Sequence, residues 1–365
     1  MWLTFEIKFH TFIEIVKNYY LNTFSKYVIG FAGVIIVLIY SQSILVPFIF
    51  ALLLWFTIRV FSSISENIPF YGKYVPKKLK KIFSAIFIFS ILYFFSQIVL
   101  SSFNSIIQSH HDYNDNILNL ISLINEQFQI DLEAYIKTQS SEISIAGLAE
   151  ILFDAISNII SSTLMIVIFT IFIFIEETHF DKKLKQFLSE STLNYKNLNK
   201  TLNKIEWSVA KYLGIKTMSS LLTGLLSFIM FYICDLNFAI FWAFLIFLLN
   251  YIPTIGSLLA TVFPVIFSML QFGDFSNALI ILFVVGAIQI SIGNLIEPRW
   301  MGNSMNISPL VSIISLMFWG LIWGTTGMIV SVPFTVVVII ILSEIESTRP
   351  LAILLSEKGD INEKG

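Results

Sequence analysis

The segment Ile292–Asn303, IGNLIEPRWMGN, sets two opposite charges, Glu297 and Arg299, around Pro298. An apolar run leads into it from Ala278, and a second opens at Ile307. Two readings compete. In one, the pair marks a loop at the membrane surface, with Arg299 as a cytoplasmic anchor. In the other, the loop folds back toward a cavity, because an ionisable residue at membrane depth generally lies on a substrate or proton path. In both, Pro298 is expected to stop the helix that ends at Ile296. Glu297 would then sit beside the negative end of a helix dipole.

The rest of the chain explains why membrane depth is the right frame. Of 365 residues 56% are hydrophobic and 13% are charged, with a mean hydropathy of +0.82. A soluble domain carries about 25% charged residues, so this chain cannot clothe a globule in polar side chains. Its net charge of −2 argues against nucleic acid, which requires a concentrated basic face. Cys234 is the only cysteine, which excludes a disulfide framework and a cysteine-ligated metal site. It reads as a small buried filler.

A membrane helix needs about 20 apolar residues. Candidates are 27–40, 44–61, 82–100, 151–175, 213–233, 238–252, 255–270, 278–296 and a long stretch 307–342. The first two are separated only by SQS and form either a tight hairpin or one long helix broken near Pro47. The lysine-rich stretches 62–81 and 176–216 belong in the cytoplasm, and the acidic stretch 101–150 outside. Counting crossings then puts the N-terminus in the cytoplasm. Ile117, Leu120, Ile121, Ile124, Phe128, Leu132 and Tyr135 mark the outer segment as an amphipathic helix, and Leu184 to Val209 do the same inside. The expected organisation is therefore 1–100, three membrane segments; 101–150, an extracytoplasmic helical segment; 151–175, a span; 176–212, a cytoplasmic helical segment; 213–343, a transport region; and 344–365, a cytoplasmic tail.

The second half is interrupted. Pro and Gly inside membrane segments are tolerable only where protein or water meets the freed backbone groups. Paired broken helices point to a transporter's binding site. Asn250 precedes Pro253, with Pro264 eleven residues on; Asn294 precedes Pro298, with Pro309 eleven residues on. Gly256 and Gly302 follow their prolines closely. The pattern suggests two repeated helix–break–helix hairpins, near 250–264 and 294–309. Gly320, Gly324 and Gly327 fall on one helix face and serve either close packing or a hinge. His10, His110, His111 and His179 all lie outside the apolar runs, no H-E-x-x-H occurs, and no base stands near a nucleophile. An enzyme is not expected, nor a cofactor or metal.

The stretches 248–270 (LLNYIPTIGSLLATVFPVIFSML) and 293–334 (GNLIEPRWMGNSMNISPLVSIISLMFWGLIWGTTGMIVSVPF) resemble the C-terminal signature of the autoinducer-2 exporter family of bacterial permeases. The likeness extends back through IFIFIEETHFDKKLKQFLSE and VAKYLGIKTMSSLLTGLLSF, covering roughly residues 165 to 345. It implies an all-α, polytopic, homo-oligomeric inner-membrane transporter with about seven or eight membrane segments, some broken or re-entrant. Members are linked to export of autoinducer-2 and others to sodium–proton antiport. The motif carries over to Asn250, Pro253, Gly256, Pro264, Asn294, Pro298, Gly302, Pro309, Gly320, Gly324, Gly327 and Pro333. A small polar solute would call for hydrogen bonds from Asn250, Thr254, Ser257, Asn294, Asn303, Ser304 and Asn306. Cation exchange would call on the carboxylate of Glu297, with Asp235 behind it. A non-transporting scaffold, recruiting partners through 101–150 and 176–212, is the reading from a different class.

Overall fold

The computed structural model describes residues 25–26, 28–66, 74–108, 145–189, 195–302 and 306–359, with six further residues between 116 and 125. Most of the outer amphipathic segment lies outside these residues, as do His110, His111, Asn303 and Ser304. The described residues form helices α1 (Val28–Tyr40), α2 (Gln42–Ser65), α3 (Lys77–Gln108), α4 (Ile145–Ser189), α5 (Tyr195–Ile233), α6 (Ala239–Leu249), α7 (Ile255–Phe272), α8 (Ser276–Ile290), α9 (Glu297–Met301), α10 (Pro309–Glu344) and α11 (Arg349–Leu355). Seven helical stretches are long and apolar enough to cross a membrane. The protein is an all-α, multi-pass membrane protein.

Only Ser41 separates α1 from α2. Its N–H bonds to Val37 O, and its own carbonyl accepts from Ile44 and Leu45. A helical hairpin needs a loop of about 2–5 residues, so α1 runs on from α2 through a kink rather than turning back beside it. The break is at Ser41, and Pro47 lies inside α2. This removes one crossing from the count that placed the N-terminus in the cytoplasm.

Two helices run through expected segment bounds. Helix α4 passes unbroken through 151 and 175 to Ser189, and its apolar window is Thr163–Phe180. Helix α5 likewise passes through 212. Neither helix contains a proline, so the backbone continues past the change from polar to apolar side chains.

At one end of the bundle an ionic network joins four helices. Glu177 of α4 accepts from Lys81 of α3 at 2.8 Å and from the Trp55 indole of α2 at 3.1 Å. Arg59 of α2 lies over the Trp55 ring and pairs with Glu206 of α5 at 2.6 Å. Helix α2 packs most extensively on α4, with Phe48 edge-on to Phe169.

Two helical hairpins pack against this scaffold. In the first, α6 and α7 meet at a tight turn, 250–254, and Trp242 packs on Phe267 across the pair. An added Cβ at Gly256 would stand 1.8 Å from Leu249 O, so only glycine lets the arms approach this closely. The second hairpin is α10 itself. Its helical path breaks at Trp323 and Gly324 (φ 62°, ψ −144°) and reverses. Ser315 then meets Ser331 and Thr335, and Trp319 packs on Phe334. Two of the three glycines take special positions here. Gly324 is where the path turns, and Gly327 permits close packing, with an added Cβ 1.9 Å from Trp319 O.

The hairpins point in opposite directions along α5. The first opens at the end of α5, where Phe231 packs with Phe241, Ala278 and Ile281, and its tip reaches back to Thr217. The second has its open end beside Val209, Tyr212 and Leu213, where Val336 and Ile340 pack. Its tip lies beyond, in a cluster with Ile49, held by the Trp323 indole donating to Leu38 O at 3.0 Å.

Candidate functional site

The core-facing side of α5 carries Val209, Tyr212 and Leu213, then Lys216, Ser219, Ser220, Thr223 and Ser227, then Phe231, all buried. Steps of three and four residues keep these on one face. A polar stripe therefore interrupts an otherwise apolar one, midway along a membrane-spanning helix.

Helix α8 runs antiparallel to α5. Phe231 and Ile281 share one apolar cluster, while Lys216 and Ser219 reach Glu297. That register puts Gln289 at the level of Thr223. The buried face of α8 reads Ala278, Ile281, Val285, Gln289, Ile292. Continuing at helical spacing would bring Leu295 or Ile296 onto that face. Instead Ser291–Ile296 is a π-helical turn. Its i→i+5 bonding inserts one extra residue and carries Glu297, five after Ile292, round to face α5.

The same turn accounts for Pro298. In a regular helix its ring would clash with the carbonyl four residues back, at Asn294. The widened turn absorbs that clash, and the backbone stays helical from Glu297 to Met301. The helix ends at Gly302 (φ 51°, ψ −137°), not at Ile296. The expected break at Pro298 does not form; it falls instead between Gly302 and Pro309. Glu297 faces an ammonium rather than a helix end.

At the centre, Lys216 Nζ donates to Glu297 Oε1 at 2.7 Å and Ser219 Oγ to Glu297 Oε2 at 2.9 Å. The two charged side chains are 11% and 15% exposed. Tyr212 lies within electrostatic reach of both Glu297 and Tyr251. Thr217 and Tyr251 share a hydrogen bond of 2.7 Å, which seats the first hairpin's tip beside the pair. Ser220 Oγ, Ser227 Oγ and Gln289 Nε2 are buried without a hydrogen-bonding partner. A buried unsatisfied polar atom costs about 1–3 kcal/mol, so three along one seam call for a function.

Of the residues singled out from sequence, Glu297 is at this centre, and Asn250, buried, caps the end of α6 next to Tyr251. Pro253 and Gly256 form the first hairpin's turn. Asn294, Pro298, Arg299, Gly302 and Pro309 are exposed. Gly320, Gly324 and Gly327 belong to the second hairpin and do not meet Glu297. Pro264 and Pro333 lie inside helices. Asp235 is exposed on a turn with φ 51°. Cys234 is half-buried against the apolar cluster of the first hairpin, and burial raises its thiol pKa above the ordinary range. Sequence reasoning missed Lys216, Ser219, Ser220, Thr223, Ser227 and Gln289. The signal was present in α5 as hydroxyl residues recurring at helical spacing after a lysine inside an apolar stretch.

The profile of AI-2E family transporters matches residues 24–347. The chain belongs to the AI-2E transporter family. A Haemophilus influenzae protein named as a transport protein is 30% identical over 91% of this chain and 96% of its own length. The AI-2 transport protein TqsA of Escherichia coli is 36% identical over 56% of this chain and 58% of its own. A Borreliella burgdorferi protein, also named as a transport protein, is 36% identical over 53% and 54%. Membership in the family implies a small solute as cargo and the lipid bilayer as surroundings.

Proposed function

We propose that this family member exports a small polar solute, of the autoinducer-2 type, across the bacterial inner membrane as a homo-oligomer. The observation that carries the reading is the buried polar seam between α5 and α8. Its unpartnered hydroxyl and amide groups at Ser220, Ser227 and Gln289 offer hydrogen bonds and no net charge. Such groups suit a neutral, hydroxyl-rich cargo. The first hairpin's tip, next to the ion pair, is the natural moving part, and Asn250, Pro253 and Gly256 are its hinge residues. The name of the Escherichia coli relative, which covers part of this chain, supports the autoinducer-2 type of cargo.

The test is solute efflux from proteoliposomes. Ser220→Ala and Ser227→Ala remove a hydroxyl each without adding bulk, and each should slow efflux while the protein inserts normally. Unchanged efflux in the double variant would sink the seam as the pathway.

The lysine-rich stretch 62–81 and the segment 176–212 are proposed to face the cytoplasm. With α1 running on from α2, Val28 then lies at the outer end. In a Cys234→Ser background, Lys200→Cys should react with an impermeant thiol reagent only after permeabilisation, and Ser141→Cys in intact cells. The reverse pattern would invert the orientation.

A further inference from the structure

The sodium–proton alternative requires Glu297 to be free to take a cation, and its surroundings bear on that directly. Both carboxylate oxygens are engaged by the protein's own donors, one by Lys216 Nζ and one by Ser219 Oγ. We propose that Lys216 is the specificity-determining residue of this site, a tethered ammonium that fills the cation position on Glu297 and so keeps alkali cations out.

Three features support this. First, the ammonium stands 2.7 Å from Oε1, where a cation bound to that oxygen would have to sit, and both side chains are largely shielded from solvent. A second positive charge there would meet strong repulsion in a low-dielectric setting. Second, the remaining neighbours form a set that a hard cation accepts. Ser219 Oγ lies 2.9 Å from Oε2 and 3.1 Å from the carbonyl oxygen of Lys216. Hard cations take oxygen ligands, so without the ammonium this is an oxygen-lined pocket around one carboxylate. Third, the seam beyond is uncharged: Ser220, Thr223, Ser227 and Gln289 add no counter-charge for a metal ion. The pair is neutral as a unit. Lys216 thereby separates a carrier of neutral cargo from a latent cation site, and the difference is one side chain.

The inference deepens the export reading and rests on it for its meaning, but it is measured by binding rather than flux. Purified full-length protein is unfolded thermally in sodium chloride and in choline chloride at equal ionic strength, with equilibrium binding of radioactive sodium in parallel. A ligand that binds only the folded state raises its Tm. The wild type and Lys216→Arg should show no sodium-specific shift and no bound sodium. Lys216→Ala should gain both, and adding Glu297→Gln should remove both. Should Lys216→Ala fail to fold, Lys216→Gln carries the same expectation with the bulk retained. Sodium binding by the wild type that Glu297→Gln abolishes overturns the proposal. So does a folded Lys216→Ala or Lys216→Gln that binds no sodium. Loss of the export reading would appear separately, as absence of solute efflux from wild-type proteoliposomes.

Discussion

The two hairpins use the same device, a glycine-tight reversal of helices, for different ends. The first places its tip beside the charged pair and the polar stripe of α5, where Tyr251 bonds Thr217. The second places its tip among Ile322, Trp323, Ile49 and Val330, with one polar tie from the Trp323 indole to Leu38 O. The tip conformations also differ. The first turns through Thr254 at φ 59°, a non-glycine in a costly region, while the second turns through Gly324 at φ 62° and ψ −144°, open only to glycine. The contrast assigns strain and polarity to the first hairpin and apolar anchoring to the second. A moving part is expected to be the less firmly anchored of the two.

The largest expected effect tests the polar side of that contrast. Glu297→Ala leaves the Lys216 ammonium buried and alone, which should cost about 3–5 kcal/mol. The double substitution Lys216→Met with Glu297→Leu should recover most of that loss in thermal unfolding. If the double is as unstable as the single, the pair is not an isolated charge couple.

Next come the close approaches that the hairpins share. Gly256→Ala and Gly327→Ala each drive a Cβ to within 2 Å of a backbone carbonyl. Each should destabilise by the upper part of the overpacking range, ~3 kcal/mol, read as a drop in Tm. A loss at only one of the two would show that the other hairpin opens easily.

At the tips the sign should reverse. Gly324→Ala forces a β-carbon into a forbidden region and should cost about 1–3 kcal/mol. Thr254→Gly relieves a positive φ and should leave stability unchanged or slightly higher. Denaturation of the two variants side by side would break the comparison if both moved the same way.

Smaller still is the anchor of the second tip. Trp323→Phe keeps the ring and loses the bond to Leu38 O, for about 1 kcal/mol. Proteolysis near Ser41 should rise with it, since α1 loses its polar tie to the hairpin. The smallest effect is Pro298→Ala. The π-turn already accommodates the proline in a continuous helix, so stability should stay within about 0.5 kcal/mol. A large loss would restore Pro298 as a true break.

Several features could be read without coordinates. Lipid as the main solvent followed from composition. The first hairpin's turn followed from Asn250, Pro253 and Gly256, because Pro and Gly punctuate a helix locally. Other features could not. Pro298 read as a stop because proline's clash is counted against a regular helix, and the π-turn changes that count. Ser41 could join either a hairpin or a kinked helix, and only its hydrogen bonds separate them. The reversal at Trp323–Gly324 was one of two roles compatible with three glycines on one face.

The sequence by itself determined that this chain lives in a membrane, is helical and breaks its helices in the second half, and it singled out Glu297 as a candidate. Those properties depend on the composition and on neighbours within a few residues. The partner of that carboxylate was decided by tertiary structure alone. Arg299 is two residues away and points outward to exposure, whereas Lys216 is 81 residues away and lies 2.7 Å from it. The physical reason is rotational. One residue inserted by the π-turn swings Glu297 onto the face that α5 covers, and no local pattern specifies which helix will lie there.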